Sequence, residues 1–227
     1  MFNKLPLFAS NIYTTHIDPS SYDKKGIIDT VVKNYELSPS RNSWDVVSKL
    51  HHYYQDWDNP KFKRIDLSSL IGVYDNIFKT FVSQNFKNKK NIKYAFKIVN
   101  VTVYKDENNS MDVHSHVEDV DDGECLFSAV HYLKADKESQ PLILDSPLIF
   151  GAYLNSFYKS FFRDSCNNKE DTHSAFFRFW KYQPVEDEII IFPAFLKHHV
   201  DALKTKNNNY RIAVVINFYM YGDRNSQ

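Results

Sequence analysis

From residue 93 onward the chain is a succession of short β-rich runs. "YAFKIVNVTVY", "LFSAVHYL", "PLILDS", "FFRFWKYQP", "DEIIIFPA" and "YRIAVVINFYMY" follow one another with turn residues between them. Runs of this length, rich in Val, Ile, Phe and Tyr, read as strands. Two helical patterns precede them. Residues 27–37, "IIDTVVKNYEL", predict a short helix that ends before Pro39. Residues 66–86 predict a stronger one. There Leu70, Tyr74, Ile77 and Phe81 recur at three- and four-residue steps, with Leu67, Ile71 and Phe78 beside them and Asp66 or Ser68 to cap the start. An opening strand is expected over residues 5–17, "LPLFASNIYTTHI". Helices first and strands after predict a helical layer packed on a β-sandwich or barrel.

This order implies one domain over residues 1–227. Residues 1–92 supply the opening strand and helical support, and residues 93–227 the β core. Residues 151–173 interrupt the strands. "AYLNSFYKSFF" can be helical and "RDSCNNKEDTHS" reads as an exposed loop, so the insertion is expected either to close over a substrate or to pack on the barrel wall.

Composition permits such a core. Of 227 residues, 43% are hydrophobic and 16% aromatic, which excludes a disordered chain. The formal net charge is zero, which removes the usual electrostatic argument for nucleic acid without excluding it as a substrate. Cys125 and Cys166 are too few for a disulfide framework and lack zinc-knuckle spacing. No apolar run approaches the ~20 residues that span a bilayer, and the apolar part of "MFNKLPLFAS" is too short for a secretory signal. The expectation is a soluble, cytoplasmic protein with no membrane partner and no strong nucleic-acid signature, its oligomeric state open.

The chemistry concentrates in "MDVHSHVED", residues 111–119, just after the run "KIVNVTVY". Side chains alternate faces along a strand. If the strand continues, Asp112, His114, His116 and Glu118 share one face, and Val113, Ser115 and Val117 take the other. Two imidazoles at i, i+2 on one face can reach one metal ion, and a third ligand must come from elsewhere. The candidate is His198 or His199, which follow a buried strand and a turn in "IIIFPAFLKHHVDAL". Arg211 opens the apolar run "IAVVI", thirteen residues after His198. A buried Arg needs an anionic partner, either an internal carboxylate or a bound one gripped in bidentate fashion.

In their order, H-x-H, "SAVHYL", "FPAFLKHHV" and "YRIAVVINF" resemble the 2-oxoglutarate- and Fe(II)-dependent dioxygenases, and within them a phage and bacterial branch related to prolyl hydroxylases. Ser128, Ala129, Val130, Tyr132 and Leu133 fall on that branch's S-G-V-Y-Y-L-like strand. Phe192, Pro193, Leu196, His198 and Val200 fall on its F-P-S-W-L-x-H-x-V segment, and Arg211, Ala213 and Asn217 on its closing R-x-S-x-A-F-N. The opening "LPLFASNIY" is similar to the family's early L-F-P-T-P strand. The resemblance implies a double-stranded β-helix (jelly-roll, cupin-like) core with N-terminal helices packed on it. It implies that His114, His116 and His198 bind Fe(II), that Arg211 grips the distal carboxylate of 2-oxoglutarate, and that Tyr132 and Asn217 help line that site. It further implies an enzyme that consumes O2 and 2-oxoglutarate, hydroxylates a C–H bond of a small-molecule or protein substrate, and releases succinate and CO2.

The chain departs from the pattern in two places. "VEDVDDGEC" lengthens one turn, and "EDE" replaces the Gly-Asp turn before the "FP" strand. The more widespread family motif is H-x-D or H-x-E, which would make His116 and Glu118 ligands and His114 a neighbour. Two other classes fit part of the pattern. A three-His zinc site activating water would use the histidines but give Arg211 no role. A non-catalytic β-sandwich binding or structural protein would bury the histidines as satisfied core residues.

Overall fold

The computed structural model describes residues 3–7, 10–37, 51–52, 63–86, 92–105, 109–117, 119–120, 123–147, 179–203 and 209–222. In chain order the elements are β1 (Asn3–Leu7), β2 (Ser10–His16), α1 (Lys24–Leu37), β3 (His51–His52), α2 (Ser68–Asn85), β4 (Ile92–Tyr104), β5 (Met111–His114), β6 (Asp119–Val120), β7 (Gly123–Lys134), β8 (Leu142–Asp145), β9 (Phe179–Tyr182), β10 (Glu188–Pro193), β11 (His198–Val200) and β12 (Arg211–Gly222). The insertion over 151–173 and the side chain of Glu118 lie outside the described residues.

The strands form two antiparallel sheets. The larger runs β1-β2-β10-β7-β12-β4-β3, with β6 on β7, and the smaller runs β5-β11-β8-β9. After β4 the chain passes repeatedly between them: β5 lies in the small sheet, β7 in the large, β8 and β9 in the small, β10 in the large, β11 in the small and β12 in the large. This is the winding of a double-stranded β-helix, as the family resemblance implied.

The opening segment differs from expectation. It is a hairpin of two strands, with Leu7 opposite Ser10 and Leu5 opposite Ile12, and β2 then pairs with β10 at the edge of the core. A continuous reading of alternating apolar residues does not reveal where a strand folds back on itself.

Strand alternation sorts the core into two layers. On β12, Ile212, Val214, Ile216 and Phe218 face outward and pack with the helices, among them Val31 of α1 and Leu70, Phe78 and Phe81 of α2. Phe78 stacks on Phe218 with centroids 4.1 Å apart. Ala213 faces inward and joins Tyr104, Val130, Tyr132, Ile190 and Phe192 against Leu142, Leu144, Leu196 and Val200. Helix α2 buries Leu70, Tyr74, Phe78, Phe81 and Val82 and leaves Ile71 exposed. The expected cap by Asp66 or Ser68 is not seen: the N-cap position is Leu67, without a side-chain cap bond, and the Asp66 carboxylate accepts from the Ser68 amide at 3.0 Å just before the helix. Tyr74 also reaches through the layer to His131 Nδ1 at 2.9 Å. The beginning of α1 is tied to the turn before β10, where Lys24 Nζ meets both Asp187 carboxylate oxygens at 2.7 and 2.8 Å. Asp187 holds a φ of 62°, in the left-handed region that Asp and Asn tolerate better than most residues. No helix among the described residues is long and apolar enough to cross a membrane.

Candidate metal and cosubstrate site

His114 closes β5 and His198 opens β11, and the two are paired across that ladder. His116 lies two residues beyond the end of β5, so strand alternation does not carry it to the site as the sequence suggested. It is placed by its backbone instead. The His116 amide donates to Ala194 O at 3.0 Å, and the Ala194 amide donates to Leu126 O at 2.9 Å. These bonds lash the segment to the turn after β10 and to β7. Asp112, expected on the same face, is exposed and contributes a backbone carbonyl rather than its carboxylate.

The ring nitrogens of His114, His116 and His198 that could ligate one ion lie within 4.8 Å of one another. Their other nitrogens are all engaged. Nδ1 of His114 meets Asp112 O at 2.7 Å, Nδ1 of His116 meets Asn217 Oδ1 at 2.7 Å, and Nδ1 of His198 meets Leu196 O at 2.9 Å. All three partners are oxygens that only accept, so each Nδ1 carries the proton and each Nε2 presents a lone pair. The Nε2 atoms of His114 and His116 are 3.1 Å apart. Two lone pairs at that distance make no hydrogen bond with each other. Imidazole nitrogens sit about 2.1 Å from a divalent ion such as zinc, and two at right angles would then be about 3.0 Å apart. The three side chains therefore fit a first-row divalent metal, with orienting partners of the kind metal-bound imidazoles use. Burial pushes the His198 pKa well down, aided by His114 and His116, and burial lowers that of His114 as well. Both are neutral near pH 7, as ligation requires.

His199 turns away from the cluster. Its ring lies 3.8 Å from Asp145 and 3.6 Å from Asp201. Of the two adjacent histidines, His198 is the one in the cluster.

A cavity runs from the histidines between the sheets. Its lining includes His114, His116, His198, Met111, Leu142, Val130, Val200 and Val215. From β4 come Asn100, Thr102 and Tyr104, and from the start of β12 comes Arg211. Arg211 is 2% exposed. Its guanidinium carbon lies 4.4 Å from the Tyr104 ring centre and 5.1 Å from that of Tyr132. No carboxylate pairs with it among the described residues, and its Nε has no hydrogen-bond partner there. The Tyr132 hydroxyl is also buried without a partner. The nearby Arg211 cation opposes the rise in its pKa. Burial holds both tyrosines at a pKa of about 12, so they stay neutral beside the cation. A buried guanidinium with aromatic walls and no carboxylate partner among the described residues is suited to receive an anion.

The resemblance implied that Tyr132 and Asn217 line the site, and neither is among the residues lining this cavity: Tyr132 stands beside the Arg211 guanidinium, and Asn217 lies elsewhere. It stands behind His116 and accepts its Nδ1 proton, with the Ser128 hydroxyl at 3.4 Å from the same oxygen. The polar row Asn100, Thr102 and Tyr104 escaped the sequence reading. Its signal was present: in "NVTVY" these residues alternate with Val101 and Val103, which face the helical layer. Polar residues on one face of a central strand mark a wall that something polar meets.

Comparison with known proteins agrees with this geometry. A family model described as "Putative 2OG-Fe(II) oxygenase" matches residues 101–217, just over half of the chain. No curated protein matches the sequence. Among solved structures, a Trichoplax adhaerens prolyl hydroxylase, in complex with a hypoxia inducible factor peptide fragment, is 12% identical with a TM-score of 0.50. The match covers 92% of this chain and 83% of that one. A Pseudomonas putida prolyl-4-hydroxylase is 11% identical with a TM-score of 0.51, covering 91% of each chain. The non-heme alpha ketoglutarate dependent carbocyclase SnoK from nogalamycin biosynthesis is 10% identical with a TM-score of 0.53, covering 92% of this chain and 79% of that one. At these identities the likeness is one of fold. The family match, spanning all three histidines and Arg211, identifies the chain as a member of the 2OG-Fe(II) oxygenase family, enzymes that use Fe(II), 2-oxoglutarate and O2.

Proposed function

We propose that the protein hydroxylates a C–H bond of its substrate, consuming O2 and 2-oxoglutarate and releasing succinate and CO2. In this reading residues 1–227 act as one oxygenase domain. His114, His116 and His198 hold Fe(II), which supplies the oxygen-activating chemistry when bound. The chain's own part is positional. Asp112 O, Asn217 and Leu196 O keep the three Nδ1 protons in place, so the Nε2 lone pairs converge. Arg211 holds the far carboxylate of 2-oxoglutarate through charge-assisted hydrogen bonds, each worth about 1.5–3 kcal/mol. Tyr104 and Tyr132 flank the guanidinium and exclude water from it. Because folds of this kind carry different chemistries, the substrate follows from the cavity and not from the scaffold.

The observation that supports this reading is Arg211: a buried cation with no counter-ion among the described residues, in the same cavity as the histidines. A three-His zinc hydrolase would leave it without purpose. The test is an anaerobic titration with Fe(II) and then 2-oxoglutarate, watching for the weak visible band of the chelate. The wild type is expected to show it. Arg211→Lys should keep metal and weaken 2-oxoglutarate, because the planar fork is lost. Arg211→Ala should weaken it more, by roughly a hundred-fold, with succinate formation falling in the same order. Unchanged 2-oxoglutarate affinity in Arg211→Ala would end the oxygenase reading.

A further inference from the structure

Asn100 sits in the middle of β4 and lines the cavity, yet it is only 3% exposed. Its carboxamide oxygen is buried with no hydrogen-bond partner among the described residues. A leucine of nearly the same shape would avoid the cost of burying that oxygen unpaired. Stability therefore gives no reason for an asparagine here, and ligand recognition does.

The register gives its place along the cavity wall. On the β4–β12 ladder, Tyr104 stands opposite Arg211, Thr102 opposite Ala213 and Asn100 opposite Val215. Two residues beyond Val215 is Asn217, which holds His116. The ladder thus runs from the buried cation at one end to the histidine cluster at the other, with Asn100 at the histidine end. A five-carbon keto diacid held by Arg211 and extended toward the histidines lays its keto-acid end at the level of Asn100. Every heteroatom of that ionised ligand is an acceptor, so what it needs from the wall is an N–H or O–H. The carboxamide carries two N–H donors. No bond to its oxygen among the described residues fixes which way it is turned, so it can present them to the cavity.

We propose that Asn100 is a cosubstrate-binding residue, its Nδ2 donating to the metal-proximal carboxylate of 2-oxoglutarate. The inference rests on the site being a 2-oxoglutarate site, and its test separates the two. Mn(II)-loaded wild type, Asn100→Leu, Asn100→Asp and Arg211→Ala are titrated with 2-oxoglutarate by calorimetry. Thermal melting of the metal-free proteins is recorded beside it. Asn100→Leu is expected to melt at or above the wild-type temperature, to keep its Mn(II) affinity, and to bind 2-oxoglutarate about ten-fold or more weakly. Asn100→Asp should bind more weakly still, because its carboxylate faces the ligand's. If the Leu variant does not fold, Asn100→Ala carries the same comparison. A stability gain with a ligand loss is a combination that a structural role does not produce. Asn100→Leu binding 2-oxoglutarate as tightly as wild type, while Arg211→Ala does not, would overturn the Asn100 contact and leave the site's reading intact. A wild type that does not bind 2-oxoglutarate would overturn both.

Discussion

Asn217→Ala should weaken metal binding although Asn217 touches no metal. The substitution removes the oxygen that accepts the His116 Nδ1 proton at 2.7 Å. His116 is 8% exposed and Asn217 fully buried, so no bulk water replaces that acceptor without penalty. A buried N–H left unpaired costs about 1–3 kcal/mol. Nothing then holds the tautomer either, and a proton on Nε2 blocks the lone pair that faces His114 and His198. Loss of such an orienting partner lowers metal affinity about 10- to 100-fold, or about 1.4–2.7 kcal/mol. Asn217→Asp is the matched control. It keeps an oxygen acceptor at the same reach and should hold metal within a few-fold of wild type. The assay is anaerobic competition for Fe(II), or for Mn(II) in air, against a chromophoric chelator, with 2-oxoglutarate affinity measured separately on metal-saturated protein. Metal affinity within two-fold of wild type in Asn217→Ala, together with a loss of 2-oxoglutarate, would refute the reasoning. It would return Asn217 to the cosubstrate-lining role that the sequence resemblance implied.

Three other outcomes follow from the structure. His198→Ala should abolish metal binding while His199→Ala leaves it largely intact, because only His198 shares the cluster and His199 turns toward Asp145 and Asp201; metal analysis of the two purified variants decides it. Asp187→Asn should lower stability by about 2 kcal/mol, and the melting temperature by about 4–8 °C, by removing the half-buried ion pair to Lys24 while keeping a residue that tolerates a φ of 62°; an unchanged melting temperature would show the tie to be dispensable. His131 is buried and its pKa is held down to about 3 by burial, with Lys24 and His16 adding to the effect. A histidine whose folded pKa lies below its unfolded value contributes stability that is complete above about pH 6.5 and is lost as pH falls toward 3, here on the order of 5 kcal/mol. His131→Gln keeps a partner for Tyr74 without titrating, so denaturant melts between pH 7 and 4 should show a shallower loss than wild type.

The sequence by itself pointed to the three histidines that cluster and to the arginine that is buried in their cavity. His114, His116, His198 and Arg211 were legible because residue type and order are written along the chain. Helix α2 and the run of strands were legible because periodicity is local: Leu70, Tyr74 and Phe81 repeat at helical steps, and residues 211–218 alternate. What only the tertiary structure decided are relations between residues distant in the chain. The proton on His116 Nδ1 is placed by Asn217, 101 residues away. The position of His116 itself is set by Ala194 and not by the strand whose alternation suggested it. The fold-back of the opening segment into β1 and β2 depends on pairing with β10, which no local pattern encodes. Asn100 reads as an ordinary polar residue until the β4–β12 register sets it in the same cavity as Arg211 and the histidines. Hydrogen-bond satisfaction is a property of the folded assembly, so a residue whose role is to remain unsatisfied until a ligand arrives becomes visible only there.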